Sequence, residues 1–182
     1  MQATSETYKM NEITIVKATL EDLETIQLIG RETFFETFAP FNTAEDMRTY
    51  LEESFNDKRI QTELSNQDSL FFIAWEGGNA IGYLKLNSGK AQTELQDESS
   101  LEIERIYVKS IYHGKKVGQL LYEKALEVAK FQEKSSIWLG VWEENPKAIR
   151  FYRKNGFVPF DKHIFRMGED EQTDILMKKD LT

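Results

Sequence analysis

The run IWLGVW at residues 137–142 is apolar and lacks the polar residue at every second position that a half-wet strand carries. Such a strand is expected to be buried on both faces, as in the parallel centre of an α/β sheet. Asn145-Pro146 follows at once and marks a helix start, with Asn as N-cap and Pro at the first helical position. Asn155-Gly156 is a good stop for that helix. A two-face-buried strand feeding a capped helix requires layers on both sides of a sheet, which constrains the chain to a mixed α/β fold.

The remaining segments agree. Residues 13–18 read as a strand, and Thr19 with Asp22 resembles a capping box for a helix that Pro40 ends. Leu23, Ile26, Leu28, Phe34, Phe35 and Phe38 are expected to supply its buried faces. Helices over 43–55 and 58–65 precede a strand pair, 70–76 and 80–87, joined at Gly77-Gly78-Asn79. After a polar loop at 88–100, LEIERIYV (101–108) is a strand, and helical spacing of Val117, Leu120, Leu121, Ala125 and Val128 carries the chain to about Lys130. Strands near 157–167 and 173–179 close it. The expected sheet is mixed, with an antiparallel N-terminal half, a parallel central strand pair and flanking helices.

With 182 residues, 3 Pro, 10 Gly and no Gly/Ser-rich linker, the chain reads as one domain over 13–182, preceded by a polar extension at 1–12 that is disordered or covers a neighbour. The formal charge of −8 disfavours binding to nucleic acid by phosphate neutralisation and leaves room for cationic substrates. No Cys is present, which excludes disulfides, a thiolate nucleophile and Cys-based metal sites. His113 and His163 are too few and too isolated to suggest a metal. The first dozen residues lack the apolar core of a signal peptide, and no stretch approaches the ~20 apolar residues of a spanning helix, so no membrane association is expected and the cytoplasm is the default location.

Two segments carry chemistry. At 106–118, IYVKSIYHGKKVG ends a strand and opens an amphipathic helix, a junction whose N–H groups and helix dipole suit a diphosphate. At 145–157, NPKAIRFYRKNGF fits N-x-x-A-x-x-F-Y-x-x-x-G-F. On these two motifs, in this order with a strand between them, the sequence resembles the GNAT superfamily of acetyl-CoA-dependent N-acetyltransferases. The stretches YLEESFN, SLEIERIYV, WLGVWEENPKAIRFYRKNGF and MGEDEQTDILM look like those of PaiA-type spermidine/spermine N-acetyltransferases. The resemblance implies the GNAT fold, acetyl-CoA as cofactor and transfer of acetyl to a polyamine amine by direct attack on the thioester.

Residue by residue, the diphosphate turn Q/R-x-x-G-x-G/A falls on His113, Gly114, Lys115, Lys116, Val117 and Gly118. His113 replaces the Gln or Arg and Lys116 a glycine, a departure that puts cofactor affinity in question. Ile106, Tyr107 and Val108 are expected to pair with the pantetheine through backbone groups, and Asn145 to cap its helix and contact the same arm. Tyr152 is the family's usual acid for the departing thiolate. Glu104 is the expected base for the amine. Strict alternation places Glu102, Glu104, Ile106 and Val108 on one face, so the two carboxylates offer a site for a polycation. Glu32, Glu36 and the cluster Glu169-Asp170-Glu171 are further acids, and Trp142, Tyr50 and Trp75 are aromatic candidates for an amine tunnel. Family members are often homodimers, though no segment here marks an interface. Two other readings stand beside this one: acetylation of a different amine, such as a protein N-terminus or small metabolite, and a low-turnover acetyl-CoA-binding regulator.

Overall fold

A computed structural model describes residues 12–167 and 170–181. Nearly all of the polar extension, and Glu169 of the acidic cluster, lie outside the described residues. In chain order the elements are β1 (Ile13–Lys17), α1 (Leu23–Phe38), α2 (Ala44–Ser54), α3 (Asp57–Ser65), β2 (Ser69–Glu76), β3 (Asn79–Ser88), β4 (Ser100–Val108), α4 (Val117–Phe131), β5 (Ser136–Trp142), α5 (Pro146–Lys154), β6 (Val158–Met167) and β7 (Asp170–Asp180). The strands form one sheet in the order β1-β2-β3-β4-β5-β7-β6. Only β4 and β5 run parallel; every other neighbouring pair is antiparallel. The expected mixed architecture is therefore present.

Local signals account for most boundaries. Thr19 and Asp22 do form a capping box, but it caps a single 3₁₀ turn, Leu20–Asp22, that leads into α1. Asn145 caps α5 by accepting from the N–H of Ala148 at 3.0 Å. Gly77 and Gly78, with φ of +55° and +82°, close the β2–β3 hairpin in two residues, which suits the twist of the paired strands.

Each face of the sheet has its own core. α4 and α5 cover one side through Leu121, Ala125, Tyr152 and Phe157 against Leu84, Ile103 and Leu139. α1, α2 and α3 cover the other, where Ile26, Ile29, Phe34, Phe55 and Ile60 meet Phe71, Ile73 and Tyr83. Gly30 lets α1 cross the Phe55 ring; a Cβ there would stand 2.2 Å from it. Leu28 and Phe35, expected inside, are turned outward and exposed. The inner stripe of α1 is Ile26, Ile29, Gly30, Thr33 and Phe34, and at about 3.6 residues per turn Leu28 and Phe35 fall on the opposite side of the helix.

Two irregularities shape the centre. β4 and β5 pair only over Ser100–Glu102 and Ser136–Trp138, and beyond these residues their ladder stops. On its other edge β4 carries a bulge: Lys85 faces Arg105 but Leu86 faces Ile103, leaving Glu104 as the extra residue. The bulge overturns the strict alternation expected for this strand. Leu101 and Ile103 before it, and Ile106 and Val108 after it, all point to the α4 side. Glu102, Arg105 and Tyr107 point to the α1–α3 side, so the two glutamates do not share a face with Ile106 and Val108.

Candidate acetyl-transfer site

Where β4 and β5 part, a cleft of about 610 Å³ opens between the two halves of the sheet. Ile106, Tyr107 and Val108 form one wall and Asn145 and Ala148 the other; His113, Gly114, Lys116, Val117 and Gly118 lie across one end. The N–H of Lys109 donates to the Ile81 carbonyl at 3.0 Å. Because antiparallel hydrogen bonding alternates along a strand, Tyr107 must then bond Tyr83, while the backbone groups of Ile106 and Val108 turn toward the cleft. Of these, the Val108 carbonyl is already taken by Nε2 of His113 at 2.8 Å. Among the described residues the N–H groups of Ile106 and Val108 and the Ile106 carbonyl find no ladder partner, because the β4–β5 pairing has already ended.

The end of the cleft is a helix N-terminus. The backbone N–H groups of Lys116, Val117, Gly118 and Gln119 find no acceptor among the described residues. Lys116, standing where the motif has glycine, is left-handed with φ +65°. The requirement for that conformation explains why glycine is usual there. Lys meets it at a backbone cost, so Lys116→Gly is expected to stabilise the fold by about 0.5–1 kcal/mol. A rise in the urea midpoint with unchanged slope would verify this, and an unchanged or lower midpoint would refute it. Gly118 is not tight: a Cβ there would lie 3.9 Å from Val108 Cγ2, its nearest neighbour.

Several expected site residues sit elsewhere. Lys115 turns away from the cleft and its ammonium lies 4.5 Å over the Tyr112 ring. Tyr152 lies behind Phe151, which does line the cleft; its ring packs on Phe151 and Phe157, and nothing among the described residues hydrogen-bonds its hydroxyl. Burial pushes the Tyr152 phenol up, so it stays protonated at any physiological pH.

Glu104 departs most from its expected role. Its carboxylate meets Lys85 Nζ at 2.5 Å and Arg105 at 3.2 Å, and accepts from Asn87 at 2.6 Å. Lys85 and Arg105 in turn reach Glu63 at 3.0 and 3.4 Å. Burial alone would raise the Glu104 carboxyl, but Arg105 and Lys85 outweigh it and hold the group at about 2. So weak a base is unsuited to take a proton from an amine. Glu102 is likewise engaged, accepting from Asn87 at 3.0 Å and from the Thr93 N–H and hydroxyl. Its carboxyl is pushed up by burial. Neither glutamate is left to hold a substrate cation.

The wall on the α1 side compensates. Glu36 lines the cleft beside Thr37 and Phe41, and accepts from the Ser110 N–H and hydroxyl at 2.8 and 2.7 Å. Trp142 lines it too, with Phe41 edge-on at 4.9 Å, and Glu144 stands next to it. Tyr50 and Trp75 instead pack on the α1–α3 core. On the same sheet face Asp174, opposite Trp142 on β7, is held up to about 6 by burial against the pull of His163. Glu36 and Trp142 were visible as candidates in the sequence. Phe41, Glu144 and Lys147 were not, since nothing local separates them from ordinary surface residues.

The sheet is thus split between two parallel strands, with an unpaired strand edge on one lip and a bare helix N-terminus at one end. The family model for the acetyltransferase (GNAT) family matches residues 31–157, and the chain belongs to that family. A protein described as an uncharacterized N-acetyltransferase in the pepI 3′ region of Lactobacillus delbrueckii subsp. lactis is 40% identical over 94% of this chain and 99% of its own length. The spermidine N(1)-acetyltransferase of Thermoplasma acidophilum is 29% identical over 92% of this chain and 96% of its own. The crystal structure of the PaiA N-acetyltransferase from Thermoplasma acidophilum in complex with coenzyme A superposes with a TM-score of 0.78 at 28% identity, covering 93% and 99% of the two chains. The chain is thus an acetyl-CoA-dependent N-acetyltransferase. The donors of the cleft fit that cofactor: unsatisfied N–H groups for a diphosphate and an unpaired strand edge for the amides of a pantetheine. No helix among the described residues is long and apolar enough to cross a membrane.

Proposed function

We propose that the protein acetylates a primary amine of a polyamine such as spermidine or spermine. Support comes first from the cleft lining, where Phe41, Tyr107 and Trp142 stand with Glu36 and Glu144. Aromatic faces and carboxylates together favour an alkylammonium chain, each cation–π contact contributing about 0.5–2 kcal/mol. The net charge of −8 steers cations toward the protein, and the similarity to a spermidine N(1)-acetyltransferase points the same way.

The cofactor, when bound, supplies an acetyl thioester. On this reading the free N–H groups of Ile106 and Val108 receive the negative charge that develops on the acetyl oxygen, already aimed and needing no reorganisation. Asn145 and the edge of β4 hold the arm in register, and Gly114 and residues 116–118 take the phosphates. Tyr152, the tyrosine of the motif, stands behind Phe151, so on this reading Phe151 moves aside for the Tyr152 hydroxyl to give its proton to the departing sulfur, while the attacking amine releases its own proton to solvent. Glu36 and Glu144 hold the non-reacting ammonium.

Thiol release from acetyl-CoA with spermidine, spermine, putrescine, a peptide amine or no acceptor tests this. Release at least tenfold over background with spermidine or spermine is expected. Release with the peptide alone would replace the polyamine by a protein N-terminus. Binding of acetyl-CoA without release for any acceptor would favour the regulatory reading.

A further inference from the structure

The family's diphosphate motif opens with Gln or Arg, a side chain able to donate to phosphate, and His113 holds that position here without a hydrogen to spare. Its Nε2 lies 2.8 Å from the Val108 carbonyl, an atom that can only accept, so Nε2 carries the ring proton. Nδ1 is then a lone pair, and it faces Lys147 Nζ at 3.3 Å. Lys147 sits in the first turn of α5, where the helix dipole disfavours a cation, and that turn contains no acidic residue. No carboxylate among the described residues lies within ion-pair distance of Lys147 or Lys116. Both line the cleft with the four unsatisfied N–H groups of 116–119. In a chain of net charge −8 these are two exposed, unneutralised cations facing one bare helix end.

We infer that Lys147 supplies the charge that the motif's first residue would otherwise bring, binding an oxygen of the cofactor's diphosphate from the α5 side, and that His113 is the positioning residue that holds it there. The imidazole links three elements at once: the last carbonyl of β4, the turn before α4 and the first turn of α5. It fixes the direction of the ammonium through Nδ1. Lys116 closes the same site from the other side. The inference rests on the reading of this cleft as the cofactor site.

Calorimetric titration with CoA and with 3′-dephospho-CoA, each at low and high salt, tests it without turnover. Lys147→Met is expected to weaken both ligands roughly tenfold, the loss typical of one charged hydrogen bond, and to flatten the salt dependence of Kd. Lys147→Arg should restore most of the affinity, and His113→Phe should show a smaller loss of about threefold with the same flattening. Lys147 is exposed, so an unchanged unfolding midpoint is expected for its variants. Wild-type affinity for both ligands in Lys147→Met would overturn the assignment, as would a loss confined to CoA, which would place the ammonium on the 3′-phosphate. If the wild-type protein binds neither ligand, the cleft itself has been misread, a different failure from an unaffected variant.

Discussion

Tyr152→Phe is expected to lower kcat roughly 10²–10³-fold while leaving the Kd of CoA within about twofold, the range that loss of a general acid produces. The variant removes one oxygen from a side chain that is only 7% exposed and packs edge-on against Phe151 and Phe157 at 5.3 and 5.6 Å. Phe keeps both ring contacts. The hydroxyl has no hydrogen-bond partner among the described residues, so the fold loses nothing with it and stability should hold or rise slightly. Burial pushes the phenol above its ordinary value, so it is protonated at every working pH but is a weaker acid than a free tyrosine. If Tyr152 were only a core aromatic, kcat would survive. A wild-type kcat in stopped thiol-release assays would therefore remove it from the chemistry, whereas a loss confined to KM would make it a binding residue.

Glu104→Gln should cost about 3–5 kcal/mol of folding stability, because it leaves Lys85 and Arg105 buried with less than their compensating charge. Lys85 is 4% and Arg105 8% exposed, so water cannot substitute for the lost partner. The wild type should show the matching pH signature. The Glu104 carboxyl lies at about 2 in the folded protein against an ordinary 4.5, so the unfolded chain binds the proton more readily. Its contribution of about 3 kcal/mol is complete above pH 4.5 and is lost as pH falls through about 2. Urea unfolding at pH 7 and pH 3 measures both effects; equal midpoints for variant and wild type would show that the network carries no net stability. The same variant addresses catalysis. With Glu104 held by internal cations, the pH profile of kcat should keep its shape, and loss of its acidic limb would return Glu104 to the role of base.

How far the chain could be read in advance depended on the range of the interactions. Asn145-Pro146 and Asn155-Gly156 are local statements that became the predicted helix boundaries, and the unalternating 137–142 run is buried on both faces through Ile137–Leu139 and Val141, but Gly140 is exposed and Trp142 half-buried beside the cleft. The cofactor cleft follows from the same short segments. The bulge at Glu104 does not: residues 101–108 alternate in type well enough to hide it, and it exists only in pairing with β3. Every consequence of the bulge was hidden as well, including the return of Arg105 to the α3 side and the ion network with Glu63 and Lys85. The contact between His113 and Lys147 spans 34 positions, and neither residue shows in its own neighbourhood that the other is near. Lys116 is the intermediate case. Its departure from glycine was legible, but its tolerance there depended on a backbone angle.

The short ladder between β4 and β5 has a thermodynamic consequence as well as a chemical one. Three residue pairs hold the two halves of the sheet together along this line, and the strand edge beyond them is complete only when something lies against it. A ligand seated there joins the halves, and it does so in the native state alone. At a hundred times its dissociation constant such a ligand adds about 2.7 kcal/mol to the unfolding free energy. The heat tolerance of the protein, and its capacity to absorb damaging substitutions, therefore rise and fall with the supply of the molecule it consumes.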